Sequence, residues 1–201
     1  MFLRTLLASL ILSWSFSVSA LMVSDVDIAD KVSVAKPQTE LTLNGAAMRK
    51  KFLLVDVYIG GLYLEKPSHS PADIISSDSY KRMMFHVLLK RVSARKVANA
   101  LNEALVINLT KEEHQILKPE IDQFLACFTD IKLHKGDQVT IDYIPGKGTL
   151  VHIPGTEDKI IKGKDFYDAL LQVWIGPQPV SNEFKRQILG ISDDDNLEAD
   201  S

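Results

Sequence analysis

The chain is poor in the residues that most small exported or catalytic domains advertise. It has a single cysteine, Cys127, so no internal disulfide is possible and the fold must rest on its core. The apolar neighbours of that cysteine, Phe124, Leu125 and Phe128, predict a buried and inert thiol rather than a nucleophile. No nucleophile elbow, phosphate-binding glycine loop or zinc spacing occurs. The five histidines, His69, His86, His114, His134 and His152, are isolated from one another; we expect neither a metal nor a cofactor. No stretch of basic residues stands out either. With a net charge of −3 and basic residues scattered along the sequence, we expect no nucleic-acid partner and no attraction to an anionic membrane surface.

Long apolar runs are absent except at the start. Leu6 to Val18 is uncharged but broken by Ser9, Ser13, Ser15 and Ser17, and it is shorter than the roughly 20 residues a membrane span needs. Arg4 before it and Val18-Ser19-Ala20 after it give the pattern of a signal peptide over residues 1–20, cleaved after Ala20. The expected location is therefore periplasmic or secreted, with no stable membrane anchor. At the other end Asp193-Asp194-Asp195, Asn196, Glu198 and Asp200 predict an acidic disordered tail over 192–201. Residues 21–37 read as an N-terminal extension. Residues 38–191 remain, about 150 residues, the usual size of one domain.

Periodicity fills that domain with strands and helices in turn. From Gln38 to Glu65 strand signals dominate. In the run Phe52 to Leu64 both faces are largely apolar, with Leu53, Val55, Val57 and Ile59 on one and Phe52, Leu54, Asp56, Tyr58 and Leu62 on the other; this predicts a strand covered on both sides. Gly60-Gly61 within it predicts a bulge or a close backbone approach. Met83 to Leu89 is a further strand. Ser93 then caps a helix whose face is Ala94, Val97, Ala98, Leu101, Ala104 and Leu105. Thr110 and Glu113 form a capping box, and Pro119 interrupts the second helix. Gln138 to Ile144 and Thr149 to Ile153 make a hairpin. Phe166 to Trp174 is an amphipathic helix closed by Gly176-Pro177, and Ser181 opens a last short one. Strands, helices, strands, helices without strict alternation predict an α+β fold.

The segment Leu43-Asn44-Gly45-Ala46-Ala47-Met48-Arg49, with its continuation Val57-Tyr58-Ile59-Gly60-Gly61-Leu62-Tyr63-Leu64-Glu65, resembles the first core hairpin of the chalcone isomerase family. Ala94-Arg95-Lys96-Val97 is similar to the start of that family's long helix. Val173-Trp174-Ile175-Gly176, Val180-Ser181 and Phe184-Lys185 are similar to its C-terminal helices. The shortened, exported form resembles bacterial chalcone isomerase-like members, and it is related to the fatty-acid-binding members of the fold. The resemblance implies an open-faced β-sandwich, an antiparallel sheet covered by a layer of helices with a ligand cleft between. It implies that Arg49 stands where the enzymes polarise the substrate oxygen. Tyr58 falls on an enzyme threonine, at a point where fatty-acid-binding members use a tyrosine with the arginine to hold a carboxylate. The enzymes' catalytic tyrosine falls on Ser93, their asparagine on Ala100 with Asn102 close by, and their threonine on Val173.

Read physically, Arg49 beside an apolar strand offers a fork of donors that suits a carboxylate, and Tyr58 adds one donor; equally, a solvated turn arginine and a core tyrosine fit the same pattern. The leading reading is binding of a small apolar, fatty-acid-like ligand without chalcone cyclisation, with Arg49 and Tyr58 as anchors and Leu54, Leu62, Leu101 and Leu105 as walls. One alternative is an isomerase or intramolecular lyase with Arg49 stabilising an oxyanion and Tyr58 donating a proton. A second is an assembly or chaperone role in which the cleft is filled by the protein's own side chains.

Overall fold

The computed structural model describes residues 20–23, 25–35, 38–51, 55–129 and 131–191; nearly all of the signal segment, the acidic tail and Leu54 lie outside them. Seven antiparallel strands build the main sheet, in the order β11-β10-β9-β6-β5-β4-β3. They are β3 (Lys31–Ala35), β4 (Gln38–Lys51), β5 (Val55–Leu64), β6 (Lys81–Val87), β9 (Gln138–Ile144), β10 (Gly148–His152) and β11 (Lys159–Ile161). Two small pairs complete the β-structure: β1 (Ala20–Val23) with β2 (Val26–Ala29), and β7 (Arg91–Ser93) with β8 (Lys132–His134). The helices are α1 (Pro71–Ser76), α2 (Ala94–Asn108), α3 (Lys111–Ile116), α4 (Lys118–Ala126), α5 (Asp165–Ile175) and α6 (Asn182–Ile188).

Strict alternation along the strands divides the core in two. Leu62, Met83, Phe85, Val139, Ile141 and Val151 point to the helices and pack on α2, α4, α5 and α6. Leu41, Ile59, Tyr63 and Met84 point the other way and meet Ile28 and Val34. The second cover of β5 is thus the N-terminal β-structure, and the Tyr63 hydroxyl donates to the Ala29 carbonyl at 2.9 Å. The segment read from sequence as an extension ahead of Gln38 therefore carries the sheet's edge strand and part of its outer layer. Deeper on this face the cross-strand pair Arg82 and Asp142 makes two parallel hydrogen bonds of 2.7 Å, and Tyr80 donates to the same carboxylate at 2.8 Å. A nearly buried carboxylate is tolerated because its oxygens are satisfied in this way.

Local signals explain the helix ends. The Thr110–Glu113 capping box is present, and Pro119 sits in the first turn of α4, so the helical stretch breaks at Leu117. Ser93 precedes α2 but its side chain makes no capping bond. Gly60 and Gly61 stand in an unbroken ladder; their role is close approach, since a Cβ on Gly60 would lie 2.6 Å from the Phe184 ring. The bulges fall elsewhere, where Asn44 on β4 and Val57 on β5 are the extra residues. Cys127 is half-buried, and burial pushes its thiol up, away from the thiolate.

Candidate functional site

A cavity of about 410 Å³ lies between the helix-facing side of the sheet and the helices. Its floor follows from strand register, because directly paired residues share a face. Arg49 on β4 pairs with Tyr58 on β5, which pairs with Val87 on β6; the next row is Gly60, Phe85 and Val139. The Val57 bulge brings that side chain to the wall as well. The roof comes from one face of α2, Lys96, Val97, Ala100 and Leu101, and from Val173 and Trp174 of α5; Phe128, Leu133 and Val180 close the sides. Almost the whole lining is apolar.

The polar groups gather at Arg49 and Tyr58. Trp174 Nε1 donates to the Tyr58 hydroxyl at 3.1 Å, which leaves the phenolic proton free to be donated. The Tyr58 ring is fixed by edge contacts to Phe85 and Phe184, with centroids 5.3 and 5.9 Å away. Burial pushes its pKa up to about 12, against smaller downward pulls from the Trp174 hydrogen bond and the Arg49 charge, so the hydroxyl is a neutral donor throughout the physiological range. Among the described residues Arg49 makes one hydrogen bond, from Nη1 to the carbonyl of Lys50. The remaining donors of its fork suit an anion at the cavity rim.

Of the residues singled out from sequence, Arg49, Tyr58 and Leu101 line this cavity. Leu62 and Leu105 do not; both are fully buried core residues. The ring of Phe184 stands over Gly60, two residues before Leu62 on the same face of β5, while Leu105 is one turn beyond Leu101 on α2, which packs on α4 and α5. Leu54 lies outside the described residues. Sequence reading missed Phe85, Val139, Val57 and Trp174, whose meeting depends on register. Ala100 and Val173 line the wall, whereas Asn102 does not, so two positions at which the enzymes carry polar groups are apolar here.

A second, wide cleft of about 1120 Å³ runs past Asp78, Tyr143, Lys164 and Asp168. On its wall the Tyr143 hydroxyl donates to Asp78 and Lys164 to Asp168, and it is open to solvent. Among the described residues no group of three or more His, Cys, Asp or Glu side chains is placed to hold a metal, and no helix is long and apolar enough to cross a membrane.

A chalcone isomerase-like family model matches residues 20–190. Among solved structures the chain is similar to a fatty-acid binding protein of Arabidopsis thaliana, with a TM-score of 0.62 and 20% identity over 79% of this chain and 95% of the other. No curated protein sequence matches it.

Proposed function

The chain belongs to the chalcone isomerase-like family, and from that premise we propose that it binds a small apolar acid of the fatty-acid type between sheet and helices, without cyclising chalcones. The observation that carries this reading is the cross-strand pair Arg49–Tyr58 at one edge of an otherwise apolar cavity of about 410 Å³. An apolar chain leaving water for such walls gains about 25 cal/mol per Å². The guanidinium and the phenol together supply the placed polar groups that fix a carboxylate's orientation. The likeness to a fatty-acid binding protein supports the same ligand class.

The isomerase reading is weaker on chemical grounds. Closure of a phenolate onto an enone needs a proton positioned as well as an oxyanion stabilised, and Ala100 and Val173 supply no hydrogen-bonding side chain. Purified protein should leave chalcone cyclisation at its background rate; turnover that vanishes in Arg49→Ala would restore the isomerase. The assembly reading requires a cleft filled from within, which an open cavity of this size does not suit. Native mass spectrometry of protein purified from its natural compartment is the direct test. A co-purifying carboxylic acid is expected; an empty mass, together with no heat on titration with long-chain acids, would overturn the reading. We further propose export with cleavage after Ala20, on the strength of the charged start, apolar run and small-residue site.

A further inference from the structure

We propose that the mouth of the cavity is a docking face for an anionic lipid bilayer, from which the apolar ligand is loaded; the loading step rests on the binding function proposed above. The basic residues that are scattered in sequence are gathered by the fold. Arg49 and Lys96 belong to the cavity wall, Lys50 follows the first, Arg95 precedes the second, and Lys90 and Arg91 separate the lining residues Leu89 and Val92. All of these cations except Arg49 are exposed. Across residues 49–56 and 89–102 the one carboxylate is Asp56, cross-strand from Lys50. The strand paired with 91–93 adds Lys132 and His134, the latter beside Asp137. In a chain with 26 acidic and 23 basic residues, this is segregation of charge to one end.

Two features point to a bilayer rather than to another polyanion. The exposed cations Lys90 and Arg91 stand next in the chain to the half-buried apolar lining residues Leu89 and Val92, and a third lining residue, Val55, is 44% exposed; such a mixture settles at the boundary of headgroups and acyl chains. The start of α2 also runs against its own stability. Arg95 and Lys96 occupy the first turn, where the helix dipole disfavours cations, with no acidic residue and no capping side chain to compensate. A local rule broken without internal compensation fits an external anion at that place.

The test is vesicle flotation of the whole protein with phosphatidylcholine alone and with phosphatidylcholine containing phosphatidylglycerol. Binding is expected only with the anionic lipid and should weaken with salt. Each exposed cation near such a surface contributes roughly a factor of five. The triple variant Lys50→Glu/Arg91→Glu/Arg95→Glu should therefore lose at least about a hundredfold in anionic-vesicle binding, while its calorimetric affinity for dissolved fatty acid is unchanged. The single variant Lys50→Glu gives the same direction with less risk to folding. Equal binding to both vesicles, binding to neither, unchanged anionic-vesicle binding by the triple variant, or binding to duplex DNA without binding to vesicles would overturn the docking face. Charge-dependent vesicle binding with no heat from any acid would instead retain the face and sink the ligand reading.

Discussion

At Tyr58 one hydroxyl serves two neighbours. It accepts from Trp174 Nε1, and its own proton is available to the ligand proposed above. Tyr58→Phe should therefore act on stability as well as binding, because the buried indole N–H loses its acceptor at a cost of about 1–3 kcal/mol. A lowered melting temperature is expected in the ligand-free protein, and an unchanged one would contradict the Trp174 bond. Lys81 is the other residue whose surroundings set its chemistry. Fully buried, its Nζ donates to the carbonyls of Ile74 at 2.9 Å and Ser77 at 2.5 Å, at the end of α1. Burial, with the nearby Lys164 charge, pulls its pKa from 10.5 down to about 8. Between those values the unfolded chain keeps a proton that the folded chain releases, so stability rises with pH across the window, by at most about 1.4 kcal/mol per unit. Below pH 8 the ammonium is charged in both states and the gain is absent. Above about pH 10 the buried Tyr58 and Tyr63, both raised to about 12, act in the opposite direction. Denaturant unfolding should show stability climbing from pH 8 to 10 in the wild type and a flattened profile in Lys81→Met; a flat wild-type profile would contradict it.

Among the elements, α6 is seated on β4 by a bulge and a glycine. Asn44 donates to the Ile188 carbonyl at 3.1 Å and accepts from Ser68 N at 2.7 Å, while a Cβ on Gly45 would come within 2.2 Å of the Gln187 carbonyl oxygen. Because that obstacle is backbone, Gly45→Ala must lift α6, and it should speed amide exchange in 182–188 and cost more than the 1–3 kcal/mol typical of overpacking. Gly60→Ala meets only the Phe184 ring and should cost less. Equal losses would contradict this packing. The strands and helices legible in sequence, β5, β9, β10, α2 and α5, are each long enough for their apolar residues to set a length and a period; caps and breaks such as Thr110 and Pro119 act locally and were equally readable. Three-residue strands such as β7, β8 and β11 carry too few residues for a period. Val26 and Ile28, or Val32 and Val34, do alternate with other residues, but a short pair beside an export signal reads as an extension until its partner strand is known. In the site, the hairpin motif marked Arg49 and Tyr58, whereas Phe85, Val139 and Trp174 reach the cavity only through register and helix docking, and Leu62, expected as a wall residue, lies in the core instead.

For the whole molecule the same gap between sequence order and spatial order governs charge. Six cations in two stretches some forty residues apart line one cavity or adjoin in sequence the residues that line it, so a balanced composition does not mean an evenly spread charge. The proposed export fits a protein that collects its ligand at a lipid surface, and the mature chain recovered from its natural compartment should begin at Leu21. An intact N-terminus in a cytoplasmic fraction would contradict cleavage. The most direct measurement of the central claim is calorimetric titration of wild type and Arg49→Ala with a long-chain fatty acid and with its methyl ester. If Arg49 holds the carboxylate, the wild type binds the acid more tightly than the ester, and Arg49→Ala loses about 2–5 kcal/mol for the acid with little change for the ester or in the melting temperature. Equal binding of acid and ester by the wild type, or unchanged acid affinity in Arg49→Ala, would contradict the account.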